Sequence, residues 1–293
     1  MGIIVSFVFS LLLTPAVVKA AGSFNSPVKD ELKDRHGYKK GTCSLGSVPM
    51  IISYAAGAFI SGDRQSLDYL FLSFPFFLIG FADDMLKFRR CSADGFKSIT
   101  KLILQLAASA FAAYILRQNY PGIEGFVYYP VAVLFITATV NALNITDGLD
   151  GLATKVTMPL LILSAASFSS LRSASMILFA VLAAYLVYNS SRASVFMGDG
   201  GSHFIGAFIA LTAFFSHHPA AVVLSSAVIY LELLSSFIQI IAIRVFSRKV
   251  FLIAPFHHHL EMKGIGEEKI VDTFFSISVF TSLLSAILFT RVL

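Results

Sequence analysis

Charge is scarce in this 293-residue chain. Asp, Glu, Lys and Arg together make up 13% of it, where an ordinary soluble domain carries roughly 25%. With 56% hydrophobic residues and a mean hydropathy of +0.79, a single water-soluble core is excluded, and so is a disordered tail protein. Tryptophan is absent, which leaves any interfacial aromatic belt to ten Tyr and 29 Phe. There are only two cysteines. Cys43 and Cys91 have neither CxxC nor metal-ligand spacing and read as free thiols of a reducing compartment. Linkers, low-complexity tracts and solenoid repeats are missing too, so residues 1–293 read as a single transmembrane domain. The net charge of +5 does not make a nucleic-acid binder of so apolar a chain. In a polytopic membrane protein a basic excess sets topology instead.

A hydrocarbon core of about 30 Å takes about 20 apolar residues per helix. Runs at 3–20, 46–62, 67–82, 99–117, 126–143, 156–170, 173–190, 202–216, 220–243 and 271–291 predict an all-α, polytopic integral membrane protein with about ten transmembrane helices. The runs lack period-2 alternation, which argues against a barrel. Loops 21–45, 83–98, 144–155, 191–201 and 244–270, with Lys19 and Lys101 at their helix ends, hold 18 of the 22 Lys and Arg. The opposite side holds only Arg64, Arg117, Arg172 and Arg291. This split predicts cytoplasmic long loops and both termini extracytoplasmic. Residues 1–22 are read as a span and not as a cleaved signal, because no positive residue precedes the apolar run while Lys19 follows it. Met1-Gly2 with Ser6 fits a myristoylation pattern, but Gly2 opens the span, so the match is read as chance.

Of 17 acidic residues, Asp83, Asp84, Asp147, Asp150 and Asp199 stand at the expected cytoplasmic helix ends. One such Asp is an ordinary helix cap. Five on one membrane face, from three separate stretches, require pairing, hydration or a cation. Asp83-Asp84 sets two carboxylates side by side, which favours a bound cation or a raised pKa. In Asn144-Ile145-Thr146-Asp147-Gly148-Leu149-Asp150-Gly151 the two aspartates share a face if helical, and each is followed by a glycine that frees the backbone to turn. Asp199, in Met197-Gly198-Asp199-Gly200-Gly201, precedes an expected helix start, where amides can receive phosphate. The consecutive His257, His258 and His259 point in different directions, which disfavours zinc and suits donors to phosphate oxygens. An acidic site with His and Lys donors at a bilayer surface fits Mg2+ and phosphoryl transfer to or from a lipid. Glu232 and Gln239, seven apart in the ninth span, share a helix face.

These strings resemble the polyprenyl-phosphate N-acetylhexosamine-1-phosphate transferase superfamily along almost the whole chain. Within it, Ala254-Pro255-Phe256-His257-His258-His259, followed by Glu261 and Lys263-Gly264, is similar to the phospho-N-acetylmuramoyl-pentapeptide transferase family. Glu232-Leu233-Leu234-Ser235-Ser236-Phe237-Ile238-Gln239 looks similar to it as well. Where that family usually reads GTPTMGG, this chain has Gly41-Thr42-Cys43-Ser44-Leu45-Gly46-Ser47.

The resemblance implies transfer of phospho-MurNAc-pentapeptide from UDP-MurNAc-pentapeptide to undecaprenyl phosphate in the bilayer. The products would be lipid I and UMP, in peptidoglycan synthesis at the cytoplasmic face of the bacterial inner membrane. It implies Asp199 as ligand of Mg2+, and Asp83, with Asp84 beside it, as base on the lipid phosphate. Lys101 and the three histidines would border the reacting groups, with Gln105 on the Lys101 face. Asn144, Asp147 and Asp150 would line the diphosphate and uridine region, with Lys40, Asn189 and Phe196 near the nucleotide; Gln239 joins the expected substrate-binding set. Single displacement is favoured over a phospho-aspartate on Asp83 or Asp199. A homodimer is left open. A UDP-GlcNAc transferase of the same superfamily is the alternative, with a membrane transporter as the remote one.

Overall fold

Hydrocarbon offers backbone groups no partners, so a spanning segment must satisfy its own peptide bonds. The computed structural model describes residues 1–21, 24, 41–92, 94–119 and 127–289, and among them the fold is built of helices. In chain order these are α1 (Gly2–Ala21), α2 (Ser47–Ser61), α3 (Arg64–Arg90), α4 (Ser98–Asn119), α5 (Tyr128–Thr146), α6 (Leu152–Ser167), α7 (Arg172–Asn189), α8 (Gly198–Phe215), α9 (Pro219–Ser225), α10 (Ala227–Phe246), α11 (Phe256–Met262) and α12 (Glu267–Phe289). Extended pairing among the described residues is confined to one parallel bridge, Cys43 with Val195.

Seven of these helices, α1, α3, α4, α5, α7, α10 and α12, are long and apolar enough to cross a membrane, and α2 and α6 are shorter apolar helices. The protein is a polytopic, all-α membrane protein. The described residues of each expected run fall mainly on helices, and three differences bear on the site. The run at 67–82 belongs to a longer helix, α3, whose polar last turns continue to Arg90. The run at 220–243 is broken at Ser226 into α9 and α10. α8 starts at Gly198, so Asp199 lies inside its first turn and not before it.

α8 is the central helix. From Gly200 to Ala213 every residue is buried, because α3 and α5 flank it along its length. Tyr69 of α3 stacks on Phe208, ring centroids 3.9 Å apart, and its hydroxyl donates to Thr212 Oγ1 at 2.9 Å. Glycine permits the closest approaches. A Cβ on Gly80 would overlap the backbone of Asp199 and Gly200, and one on Gly206 would meet Val140 Cα of α5 at 2.7 Å. The start of α8 is therefore seated directly on the backbone of α3. Hydroxyls in the apolar interior bond back to carbonyls one turn earlier, as Ser53 does to Pro49 and Thr157 to Ala153. Cys43 and Cys91 are both free thiols, and burial pushes the Cys43 thiol pKa up.

Candidate active site

The extra turns of α3 place Asp83, Asp84 and Lys87 three and four residues apart, hence on one face. That face meets the first turn of α8. Lys87 Nζ lies 2.8 Å from Asp83 Oδ2, 3.8 Å from Asp84 Oδ1 and 2.7 Å from Asp199 Oδ2. Lys101, in the first turn of α4, reaches the same Asp199 oxygen at 2.7 Å and stands 3.6 Å from Asp83. Asn144, near the end of α5, donates to Asp199 Oδ1 at 2.9 Å and to Ser202 Oγ at 2.9 Å. The backbone N–H of Gly200 donates to Asp84 Oδ2 at 3.0 Å, and that of Phe96 donates to Asp83 Oδ1. Asp83 and Asp84 are buried, whereas the Asp199 side chain keeps 17% exposure. Asp199 is thus the carboxylate of the three most open to a ligand.

One helical turn deeper lies a second polar layer. Gln105 follows Lys101 by four residues, His203 follows Asp199 by four, and Asn141 precedes Asn144 by three. Gln105 Nε2 is 2.9 Å from His203 Nε2, and Asn141 Nδ2 donates to Gln105 Oε1 at 2.9 Å. Asn141 also lines an apolar groove of about 630 Å3 between α4, α5 and α10, with Leu102, Leu106, Leu233 and Phe237 among its walls. The groove and the carboxylate cluster therefore share the walls of α4 and α5.

Asp147 and Asp150 do not share a helix face. α5 stops at Thr146, Asp147 ends it, and Asp150 stands in the turn before α6. Gly151 turns the chain there with φ +73°, a left-handed conformation that costs glycine little. Asp150 Oδ2 accepts the N–H of Ala193 at 2.9 Å, and its own N–H donates to Glu267 Oε1 at 2.7 Å. Asn189 donates to Val195 O at 2.9 Å and accepts from Thr154 Oγ1 at 3.2 Å. Phe196, half-buried, donates its N–H to Cys43 O at 2.8 Å. Asp150 and Asn189 so brace the 190–196 loop that carries Phe196. Beside it opens a polar cleft of about 1100 Å3, lined by Asp150, Lys155, Arg192, Glu267 and Lys269 among others.

The three histidines diverge, as expected of consecutive residues. His257 Nδ1 is 2.9 Å from Glu232 Oε2, His258 Nδ1 is 2.6 Å from Glu261 Oε2, and His259 Nδ1 accepts the Leu252 N–H at 3.1 Å. His257 reaches the Asp147–Gly151 turn, since a Cβ on Gly148 would collide with its Nε2. Gln239 is occupied by the chain itself. Its Oε1 accepts from Val250 N at 3.1 Å and Phe251 N at 2.9 Å, and its Nε2 donates to Phe251 O at 3.0 Å. Lys40 lies outside the described residues. Lys87, Ser202 and Glu267 join the site beyond the residues expected from the sequence. The i,i+4 spacing from Asp83 could have found Lys87 had the helix been carried past residue 83.

The chain matches the family model described as glycosyl transferase family 4 over residues 66–217, the stretch from α3 through α8 that holds all five aspartates, Lys87, Lys101 and Asn144. It is 32% identical to the phospho-N-acetylmuramoyl-pentapeptide-transferase of Thermotoga neapolitana, covering 96% of this chain and 96% of that one. It is 31% identical to the same-named protein of Acetivibrio thermocellus, over 96% and 92% of the two chains. For the one of Clostridium perfringens strain SM101 the identity is 31%, over 95% and 93%.

Proposed function

From a chain that belongs to glycosyl transferase family 4, and within it to the phospho-N-acetylmuramoyl-pentapeptide transferases, we propose the following reaction. The protein moves phospho-MurNAc-pentapeptide from UDP-MurNAc-pentapeptide to undecaprenyl phosphate, giving lipid I and UMP in peptidoglycan synthesis. The observation that carries this is the convergence of Lys87, Lys101 and Asn144 on the Asp199 carboxylate beside Asp83 and Asp84. The excess of Lys and Arg on one set of loops supports a cytoplasmic active site, in the inner membrane of a bacterium, with both termini outside.

The donor chemistry suits Mg2+. Oxygens of three carboxylates already surround one positive point, the Lys87 ammonium. Among the described residues no three His, Cys, Asp or Glu side chains form a metal cage. Mg2+ held at these carboxylates would keep waters and take its other ligands from substrate phosphates. Asp199, the most open of the three, is the residue proposed to hold it. The carboxylates offset the two ammonium groups, so a diphosphate entering beside a lipid phosphate needs further positive charge. When bound, Mg2+ would neutralise the diphosphate and the charge developing on the departing UMP.

The chain's own groups do the rest. Lys87 and Lys101 exchange Asp199 for phosphate oxygens as substrate enters, acting as charge-assisted donors. The polyprenyl chain lies in the apolar groove, which brings its phosphate along α4 to Lys101. A phosphate monoester has its second pKa near 6, so most of the acceptor is already a dianion at neutral pH. Asp83, fixed by Lys87 and the Phe96 N–H, takes the proton from the remainder. The acceptor oxygen then attacks the β-phosphorus in line, and the bond to UMP breaks in a single displacement. The 190–196 loop and the adjoining polar cleft give the uridine its place, with Phe196 available for stacking. Side-by-side assays with UDP-MurNAc-pentapeptide and UDP-GlcNAc, each with undecaprenyl phosphate, test this reading. UMP release with the first alone is expected; release with UDP-GlcNAc alone would overturn it.

A further inference from the structure

Glu232 and Gln239 are polar side chains buried on one face of the largely apolar α10, and both turn toward residues 250–257. Gln239 takes up the N–H groups of Val250 and Phe251 and the carbonyl of Phe251. Glu232, two turns earlier, takes up His257: the His257 backbone N–H donates to Oε1 at 3.1 Å, also approaching Oε2 at 3.4 Å, and the ring Nδ1 lies 2.9 Å from Oε2. α10 is thus a rail along which the histidine segment is pinned at two points. The two pins differ in chemistry. Gln239 reaches backbone groups alone, and any residue but proline at 250 or 251 could supply them. Glu232 reaches an imidazole ring, and it does so fully buried, as does His257.

A carboxyl oxygen that already accepts from a backbone N–H presents an acceptor to the ring, so the ring atom facing it carries the hydrogen. This fixes Nδ1 as the protonated nitrogen. The other ring nitrogen, Nε2, is buried without a hydrogen-bond partner among the described residues. It points at Gly148, at the place where a side chain would overlap it. His258 and His259 do not share this arrangement, since their Nδ1 atoms turn to Glu261 and to the Leu252 N–H.

We propose that Glu232 is a positioning residue: it holds the His257 ring with Nδ1 protonated, so that Nε2 alone faces the Asp147–Gly151 turn for a phosphate oxygen of the nucleotide substrate. A ring that has taken up a second proton from solvent, at Nε2, would donate to that oxygen, and Glu232 would then balance the imidazolium. Glycine at 148 leaves the ring its path to the substrate. The inference rests on the proposed reaction for its substrate, but the pairing itself can be read without it.

Nitrogen-15 NMR of the detergent-solubilised wild-type protein with labelled histidine tests the pairing, the His257 signals being assigned as those missing in His257→Gln. A protonated Nδ1 is expected. A neutral ring protonated only at Nε2 would overturn the proposal, and this reading needs no variant of Glu232. In Glu232→Gln the amide keeps the volume; its single oxygen stays on the His257 backbone N–H, which turns its NH2 to Nδ1, so the protonated Nδ1 signal should be lost. kcat/KM should fall on the order of 10- to 100-fold, the range for removing the carboxylate partner of a functional histidine. The double variant Glu232→Gln/His257→Gln should be no worse than His257→Gln alone. Wild-type turnover in Glu232→Gln, or losses that multiply in the double variant, would contradict a role acting through His257. A protonated Nδ1 in a chain inactive toward the UDP-sugar would fault the proposed reaction and leave the pairing standing.

Discussion

Replacing Gly80 by Ala removes no polar group and touches no carboxylate, yet it should damage turnover more than stability. Gly80 lies in α3 one turn before Asp83 and Asp84, where that helix meets the start of α8. A Cβ there would lie 2.6 Å from Gly200 N and closer still to the Asp199 carbonyl, whereas ordinary contact begins at 3.4 Å. Both obstacles are backbone, so no side-chain rotation relieves them. The two helices must part by roughly 1 Å, a displacement that costs on the order of 100-fold in rate when catalytic groups are spaced by it. That corresponds to about 2.7 kcal/mol in the transition state. The folded state feels less. Overpacking costs about 1–3 kcal/mol, against a gain of about 1 kcal/mol from Ala over Gly in a helix. Lipid-dependent UMP release should therefore drop about 100-fold, while a thermal-shift midpoint in detergent falls by only a few degrees. Gly80→Ala protein with wild-type kcat would show that the α3–α8 contact does not set the distance between Asp199 and the Asp83–Asp84 pair.

Three further outcomes follow from the same geometry. Lys101→Met removes an ammonium placed 2.7 Å from Asp199. A charge-assisted bond is worth about 1.5–3 kcal/mol, so UMP release should show a kcat/KM lower by roughly 10- to 100-fold at saturating Mg2+, and an unchanged value would remove Lys101 from the site. Leu233→Glu puts a charge in the wall of the apolar groove; the KM for undecaprenyl phosphate should rise about tenfold or more with that for the UDP-sugar unchanged, whereas a rise in the latter alone would displace the lipid from the groove. In the absence of lipid acceptor, radiolabelled UMP should not exchange into UDP-MurNAc-pentapeptide. Exchange by the purified protein would replace single displacement with a phospho-aspartate path.

Much of this was legible in the sequence because charge is so rare. Every apolar run found a helix, and Asp83, Asp84, Lys101, Asn144 and Asp199 do meet at one place. What escaped depends on where a helix stops and on pairs distant along the chain. Hydropathy ends α3 at residue 82, but its backbone bonding continues to Arg90, and only that continuation brings Lys87 round to Asp83. α10 begins after a break at Ser226 that no proline or glycine marks. Glu232 and Gln239 stood out as intramembrane polar groups, while their partners lie 25 residues later, in the first turn of α11, and 11 or 12 residues later, in the loop before it. No local pattern couples such positions. Asp150 and Asn189, expected to line a nucleotide region, brace the 190–196 loop, and Asp150 also lines the cleft beside it; the bracing is set by the tertiary fold and not by spacing.

The proposed reaction puts Mg2+-dependent transfer to a lipid phosphate on the Asp199 cluster. Release of UMP from UDP-MurNAc-pentapeptide, measured for wild type and Asp199→Asn with Mg2+ and undecaprenyl phosphate each present or omitted, tests it most directly. In the variant one side-chain oxygen becomes an NH2 that must face the two ammonium groups or the Asn144 amide, donor against donor. On that assignment wild type releases UMP only with both Mg2+ and lipid present, and Asp199→Asn is inactive at every Mg2+ concentration. Near-normal, Mg2+-dependent release by Asp199→Asn would contradict it.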